Sequence, residues 1–354
     1  MHSHTRPGRS RAAATLSALA LLATVTVAGC GNADDGGKGA GGAGGDGRGG
    51  GAPLTVGLTY VPNIQFAPFY VAESLHYYEE AGLNVKLRHH SFTDAQFGAL
   101  AAGQEDVVYA GGDEMLQARS QKVPVVNVAT LYRKYPVAVM VRSDSPVKEA
   151  ADLKGRTIGT PGPYGETYFA LLALLKSANL STSDVKIQNI GFTQQAALTG
   201  GKVDAVTGYL NNDAVQFAQS GTDVRTIQPA GSAPSLPLVA AGLGASQKTV
   251  DGRSADLKAF IAATLKGLQY TIDHPKEAVE LSKKTVPGLE DPKKQADALA
   301  VLNASLPLMK TEGAAKPGQN DAAQWKQMEE FMRSHKLLTN PVSVDEAFDN
   351  SFLP

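Results

Sequence analysis

The chain has 354 residues, a single cysteine, 33 basic and 34 acidic side chains, and a formal net charge of -1. One thiol excludes a disulfide framework and a cysteine-based zinc site, and the near balance of charge excludes the basic footprint of a nucleic-acid binder. The length is ample for a well-buried core and suggests two domains.

Arg6, Arg9 and Arg11 form a basic head, Ala12 to Ala28 an apolar stretch, and Val27-Ala28-Gly29-Cys30 a run of small residues ending in the lone cysteine. This is a secretory signal pattern, and a cysteine at its end resembles the bacterial lipobox. The plainer readings are an ordinary signal peptide with an incidental cysteine, or an uncleaved anchor; the stretch is shorter than the ~20 apolar residues a span needs. The expectation is a signal peptide over 1–29 and a lipidated Cys30. Residues 30–52 would then be a tether, because Gly31 to Ala52 offers no apolar face to bury. A flexible segment of that length reaches ~25 Å. Removal of three arginines with the signal takes the formal charge to -4.

From Leu54 the pattern changes to alternating strands and helices. Leu54 to Leu58 reads as a buried strand, and Phe66 to Glu80 as a helix ended by Ala81-Gly82. Asn84–Arg88, Asp106–Tyr109 and Val123–Thr130 read as strands, with helices over Thr93–Ala102 and from Gly111-Gly112-Asp113. The alternation restarts with strands at Pro136–Arg142, Arg156–Gly159, Val185–Ile190, Asp204–Thr207 and Leu236–Leu243. Ala151–Gly155 reads as one helical turn, Glu166–Ala178 as an apolar helix, and most of 254–336 as helical. Such alternation predicts α/β lobes built on parallel sheets covered on both faces. Residues 53–132 and 240–354 are expected to form lobe 1, the latter contributing C-terminal helices, and 133–239 to form lobe 2.

Open α/β sheets bind ligands beyond the carboxyl ends of their strands. Four loops lie there: Tyr60 to Phe66, with Asn63 and Gln65; Gly111-Gly112-Asp113; Thr160 to Tyr168, with Tyr164, Gly165, Glu166 and Thr167; and Tyr209 to Asp213, with Asn211 and Asn212. Each is also ordinary turn chemistry, and the G-x-x-G-x-x-G spacing of Gly159, Gly162 and Gly165 lacks the Lys-Ser or Lys-Thr of a nucleotide P-loop. Together they offer rings to sandwich a flat ligand (Tyr60, Phe66, Tyr164, Tyr168, Tyr209). Amides supply in-plane hydrogen bonds, and Asp213 or Glu166 can accept from an exocyclic amine. Trp325 reads as core. His89 and His90 are adjacent on a strand, point to opposite faces and cannot share a metal; no metal or cofactor site and no nucleophile–base motif is visible.

Pro62-Asn63-Ile64-Gln65-Phe66-Ala67-Pro68-Phe69-Tyr70-Val71-Ala72 and Tyr77-Tyr78-Glu79-Glu80-Ala81-Gly82-Leu83-Asn84-Val85 resemble the opening of bacterial solute-binding lipoproteins of the thiamine-pyrimidine-precursor type. Gly191 to Gln195, which includes Gln194, Gly208 to Asp213, and the ending Ala347 to Pro354 are similar to the same group. The resemblance implies a two-lobed type II periplasmic-binding-protein fold, a cleft closing on a hinge, and delivery to an ABC permease with its ATPase by a monomer held outside the cytoplasm by a lipid anchor. It implies a pyrimidine thiamine precursor or, in a close branch, riboflavin as ligand; the wider superfamily takes sulfonates. It also places Asn63 and Asp213 against the ring, with Asp where the family usually has Glu. Related thiamine-pyrimidine synthases use a consumed histidine, a lysine for pyridoxal phosphate and a cysteine-rich segment. Here the helix from Gly112 has neither His nor Lys before Lys122, and no cysteine follows Cys30, so a binding protein, not an enzyme, is expected. A sulfonate-type anion carrier is the first alternative, with an anion seated at the helix N-terminus near Thr160 to Thr167.

Overall fold

The computed structural model describes residues 52–91, 94–229, 236–311, 313 and 315–354, all in one folded unit. The signal pattern, Cys30 and the tether short of Ala52 lie outside the described residues. No helix among those described is long and apolar enough to cross a membrane.

Among the described residues, ten strands form two five-stranded sheets. The first has the order β2-β1-β3-β10-β4, built from β1 (Leu54–Leu58), β2 (Val85–His89), β3 (Val107–Gly111), β4 (Val125–Thr130) and β10 (Ala241–Ser246). The second has the order β7-β6-β8-β5-β9, from β5 (Val137–Arg142), β6 (Thr157–Thr160), β7 (Lys186–Asn189), β8 (Ala205–Tyr209) and β9 (Val224–Ile227). Strands β3 and β4 are buried along their whole length, as near-continuous apolar runs in a doubly covered sheet must be.

Neither sheet is wholly parallel, which corrects the expectation from alternation. The pairs β1–β2, β1–β3, β6–β7 and β6–β8 are parallel. Strand β10 runs antiparallel between β3 and β4, and β5 antiparallel between β8 and β9. Both are the first strand made after the chain crosses between lobes, so each enters its new sheet from the opposite end. The crossings run from β4 to β5 and from β9 to β10.

Other departures have local causes. The helix expected over 66–80 is a 3-10 turn (Ile64–Phe66), then α1 (Ala67–Ser74) and α2 (Tyr77–Glu80). It breaks where His76 takes a left-handed φ of 59°. Between Thr93 and Ala102 only α3 (Gly98–Ala101) is helical, with Thr93 outside the described residues. The apolar run from Leu236 becomes strand only at Ala241, and β9 was not anticipated.

The remaining helices are α4 (Gly112–Ser120), α5 (Gly165–Ser177), α6 (Gln194–Thr199), α7 (Asp213–Gln219), α8 (Gln247–Gly252), α9 (Ser254–Asp273), α10 (Pro275–Leu281), α11 (Pro292–Met309) and α12 (Ala322–Ser334). Helix α9 lies so close to α1 that a Cβ on Gly267 would collide with the Pro68 carbonyl. Helix α5 joins two cores: Phe169, Ala170, Leu172 and Ala173 pack into the first lobe's, Leu171, Leu174 and Leu175 into the second's. Helix α11 also touches the second lobe, where Asn211 Nδ2 donates to Ser305 Oγ at 2.9 Å.

Candidate functional site

A cavity of about 580 Å³ lies between the lobes, bordered by the loops that follow β1, β3, β6 and β8. This is where strand order and helix N-termini direct a ligand in α/β sheets.

After β1, Thr59, Tyr60, Gln65 and Phe66 line the cavity. Asn63 does not: its Oδ1 accepts from Gln65 N–H at 3.1 Å and caps the short turn that presents Gln65 and Phe66. Phe66 is fixed edge-on against Tyr109 and His89, with ring centroids 5.8 and 5.5 Å apart.

After β3, Gly111 lines the cavity and Gly112 and Asp113 sit behind it. A side chain at Gly111 would collide with the Asp113 carboxylate and lie 2.8 Å from Glu166 Oε1. That position therefore needs glycine for close approach, not for backbone freedom. Asp113 is fully buried and accepts from Tyr135 O–H at 2.5 Å.

After β6, Tyr164, Gly165, Glu166 and Thr167 line the cavity, while Thr160 and Tyr168 stand outside the lining. Gly165 takes a φ of 72° to turn the chain into α5. Tyr164 is 56% exposed and lies over Gly162, where a Cβ would strike the ring. Glu166 is 6% exposed; its Oε2 accepts from Tyr209 O–H at 2.8 Å, and its Oε1 has no hydrogen-bond partner.

After β8, Tyr209, Asn211, Asn212 and Asp213 all line the cavity, joined by Gln194 from α6. Asp213 Oδ2 accepts from Tyr209 N–H at 2.7 Å, so it closes its own loop at the start of α7. Asn211 is held by Tyr132 and Ser305, at 3.1 and 2.9 Å.

Sequence reading missed Glu114, Gln96, Asp94, Tyr109, Tyr132 and Gln216, all in the lining. Tyr109 sits in a strand that reads as sheet interior. Glu114 follows the Gly-Gly-Asp run by one position and Gln216 follows Asp213 by one turn, so extending each loop into the first turn of its helix would have found both.

Three carboxyl groups are clustered here, Asp113 and Glu166 buried and Glu114 half-buried. Desolvation, and then the neighbouring Glu114, hold Asp113 and Glu166 well above the usual carboxylate range. Burial also raises Glu114, but hydrogen bonds from Gly111 N–H, the Gln96 amide and Glu166 N–H oppose it. Glu114 is therefore the member best placed to stay ionised. Acids with raised pKa give stability that is full below the unfolded value of ~4 and is lost as pH rises through the folded value. Glu166→Gln should accordingly raise the melting temperature relative to the parent at pH 8, with the gain vanishing near pH 4. A gain of equal size at both pH values would mean that the three acids do not share protons.

The NMT1/THI5 like family pattern matches residues 63–278. This chain belongs to the NMT1/THI5-like family. The NMT1/THI5-like chain is 38% identical to the riboflavin-binding protein RibY of Chloroflexus aurantiacus, over 85% of this chain and 86% of that one. It is 27% identical to the formylaminopyrimidine-binding protein of Halalkalibacterium halodurans, over 83% and 89%. Among solved structures, the periplasmic aliphatic sulphonate binding protein SsuA of Escherichia coli shares the fold, with a TM-score of 0.66, 17% identity, and coverage of 84% and 92%. The NMT1/THI5-like fold and its two lobes thus agree with the α/β architecture expected from the sequence.

Proposed function

We propose that this protein is the solute-binding component of an ABC importer and that its ligand is a heteroaromatic vitamin or vitamin precursor, riboflavin in the first place. The observation that carries this is the composition of the inter-lobe cavity. Rings of Tyr60, Phe66, Tyr109, Tyr164 and Tyr209 face it beside the amides of Gln65, Gln194 and Asn212. Its volume of about 580 Å³ falls inside the ~300–1,000 Å³ of small-ligand sites. Stacking on rings and in-plane bonds to amides is how a flat polar heterocycle is held. Similarity to a riboflavin-binding relative over most of the chain supports the same ligand. A formylaminopyrimidine is the second reading, supported by the second relative and by carboxylates able to accept from an exocyclic amine.

Binding is read as lobe closure: a ligand that contacts both lobes stabilises the closed state and shifts the population toward it. The hinge is the pair of crossings, held where Leu131 and Tyr132 N–H groups both meet the Ala241 carbonyl at 3.0 Å. The closed form would dock on the permease. Cys30 would carry the lipid, residues 30–52 the tether, and the body would stand outside the cytoplasmic membrane. Loss of membrane association in Cys30→Ser tests the anchor.

The direct test is thermal shift of the full chain with riboflavin, formylaminopyrimidine, hydroxymethylpyrimidine, taurine and an alkanesulfonate. A cognate ligand at 100 times its dissociation constant should stabilise by ~2.7 kcal/mol. A shift with riboflavin or a pyrimidine is the expected result; a shift with sulfonates alone overturns the ligand assignment.

A further inference from the structure

We propose that the cleft is a charge filter in which Glu114 occupies the seat an anion would take, so that it admits an uncharged heteroaromatic and refuses the phosphorylated or sulfonated counterpart. The inference rests on the heteroaromatic reading and adds to it a rule of selection and the residues that impose it.

Helix α5 has 13 residues, and the free N–H groups at such a helix start are a ready-made site for phosphate or sulfonate. Here a carboxylate from within the chain already stands beside that site. Glu114 stands on α4 in the first lobe, yet its carboxylate reaches the start of α5, beside Gly165. It is held there by Gly111 N–H, which donates to it at 3.0 Å, and by the Gln96 amide. Gly165 leaves room for this approach: a Cβ there would lie 3.2 Å from Glu114 Oε1.

The second observation is Glu166 Oε1, buried, lining the cavity and without a hydrogen-bond partner. A protonated carboxyl there would donate to a ring carbonyl of a neutral ligand; an ionised one would repel an anion. Asp94, Glu114, Glu166 and Asp213 line the cavity, and among the described residues no Lys, Arg or His does. An added phosphate would find carboxyl groups and no counter-charge in that lining. At an effective dielectric near 20, one ionised carboxylate ~6 Å from the added charge is worth roughly 100-fold in affinity.

The test is the ratio of dissociation constants for matched probes on the full chain: riboflavin against riboflavin 5′-phosphate, and hydroxymethylpyrimidine against its phosphate. Inorganic phosphate and an alkanesulfonate are tested alone. The parent should prefer the neutral member by roughly 100-fold, and Glu114→Gln should narrow the ratio by tenfold or more. Glu114→Met removes the same carboxylate at similar length and is the second variant should the first fail to fold. A phosphate ester bound within threefold of its neutral partner by the parent overturns the filter while leaving the heteroaromatic reading intact. So does an unchanged ratio in every folded Glu114 variant. If neither neutral ring binds, the heteroaromatic reading fails and the anions decide the filter. Sulfonate binding gained only in a Glu114 variant upholds it, and sulfonate binding by the parent, or by neither parent nor variant, sinks it.

Discussion

Glu105→Ala is expected to lower stability by about 3 kcal/mol and to weaken ligand binding at least tenfold. The Glu105 side chain is fully buried, pairs with Arg88, and accepts from His90 Nε2 at 2.8 Å. It lies against β1 at Gly57, where any Cβ would collide with the carboxylate. Breaking a buried charged cluster from one side costs ~3–5 kcal/mol; partial exposure of Arg88, at 37%, puts the effect at the lower end. The consequence for binding follows from what the cluster holds. Arg88 also reaches Asp94 at 3.6 Å, and His90 opens the loop whose Ser91, Asp94 and Gln96 face the cavity. Without Glu105 a ligand would have to order that loop itself, which costs affinity. Glu105→Gln keeps shape and one acceptor and should retain more of both properties. Thermal melts with parallel titrations check this; a melting temperature within a degree of the parent would show that the cluster does not carry the loop.

Trp325→Ala should cost ~3–5 kcal/mol, as large-to-small changes of buried aromatics do, and leave ligand selectivity unchanged. Trp325 has no exposed surface and stacks on Phe348 with centroids 5.4 Å apart. Its Nε1–H donates to Asn320 Oδ1 at 2.9 Å, which also accepts from Thr130 Oγ1 at 2.8 Å. This ties α12 and the C-terminal segment to β4. Asn127 N–H donates to the Ala347 carbonyl at 2.9 Å and Asp349 N–H to the Asn127 carbonyl at 2.8 Å, so the open edge of the first sheet is covered. Truncation leaves a cavity at the junction and frees that cover. A lower urea midpoint and earlier proteolysis near residue 340 would follow; an unchanged midpoint would mean that the segment docks without the indole.

How much of this was legible depends on where the signal resides. Strands β1, β3, β4 and β5 are apolar runs flanked by turn residues, and the hydrophobic pattern marks them. Strand β9, Val-Arg-Thr-Ile, is half-exposed with an arginine inside, so it carries no such mark. Leu236 to Ala240 is apolar and buried but bends, with Leu238 N–H bonded to the Leu236 carbonyl at 2.7 Å; burial without pairing looks like a strand in sequence. Strand direction leaves no periodic trace, so the antiparallel β5 and β10 were out of reach. At the site, glycines and aromatics after strands pointed to loops that border the cavity. Glu114 was hidden because a carboxylate in the first turn of a helix is ordinary dipole chemistry; only the approach of α5 from the other lobe gives it a second meaning. Asn63, placed against a ring by resemblance, caps the turn that presents Gln65 and Phe66.

Strand β10 lies inside the first sheet, between β3 and β4, yet it is the last strand among the described residues. All strands of the second lobe fall within Val137–Ile227 and are synthesised before it. A growing chain that has reached residue 240 therefore carries every strand of its second sheet but a first sheet in two pieces, with bare edges on β3 and β4. Unpaired edges are templates for association with other chains, and nascent intermediates are where that hazard is met. Between the emergence of Thr130 and Ser246 those two edges lack their partner, and a chain cut short there is expected to aggregate more readily than one that includes β10.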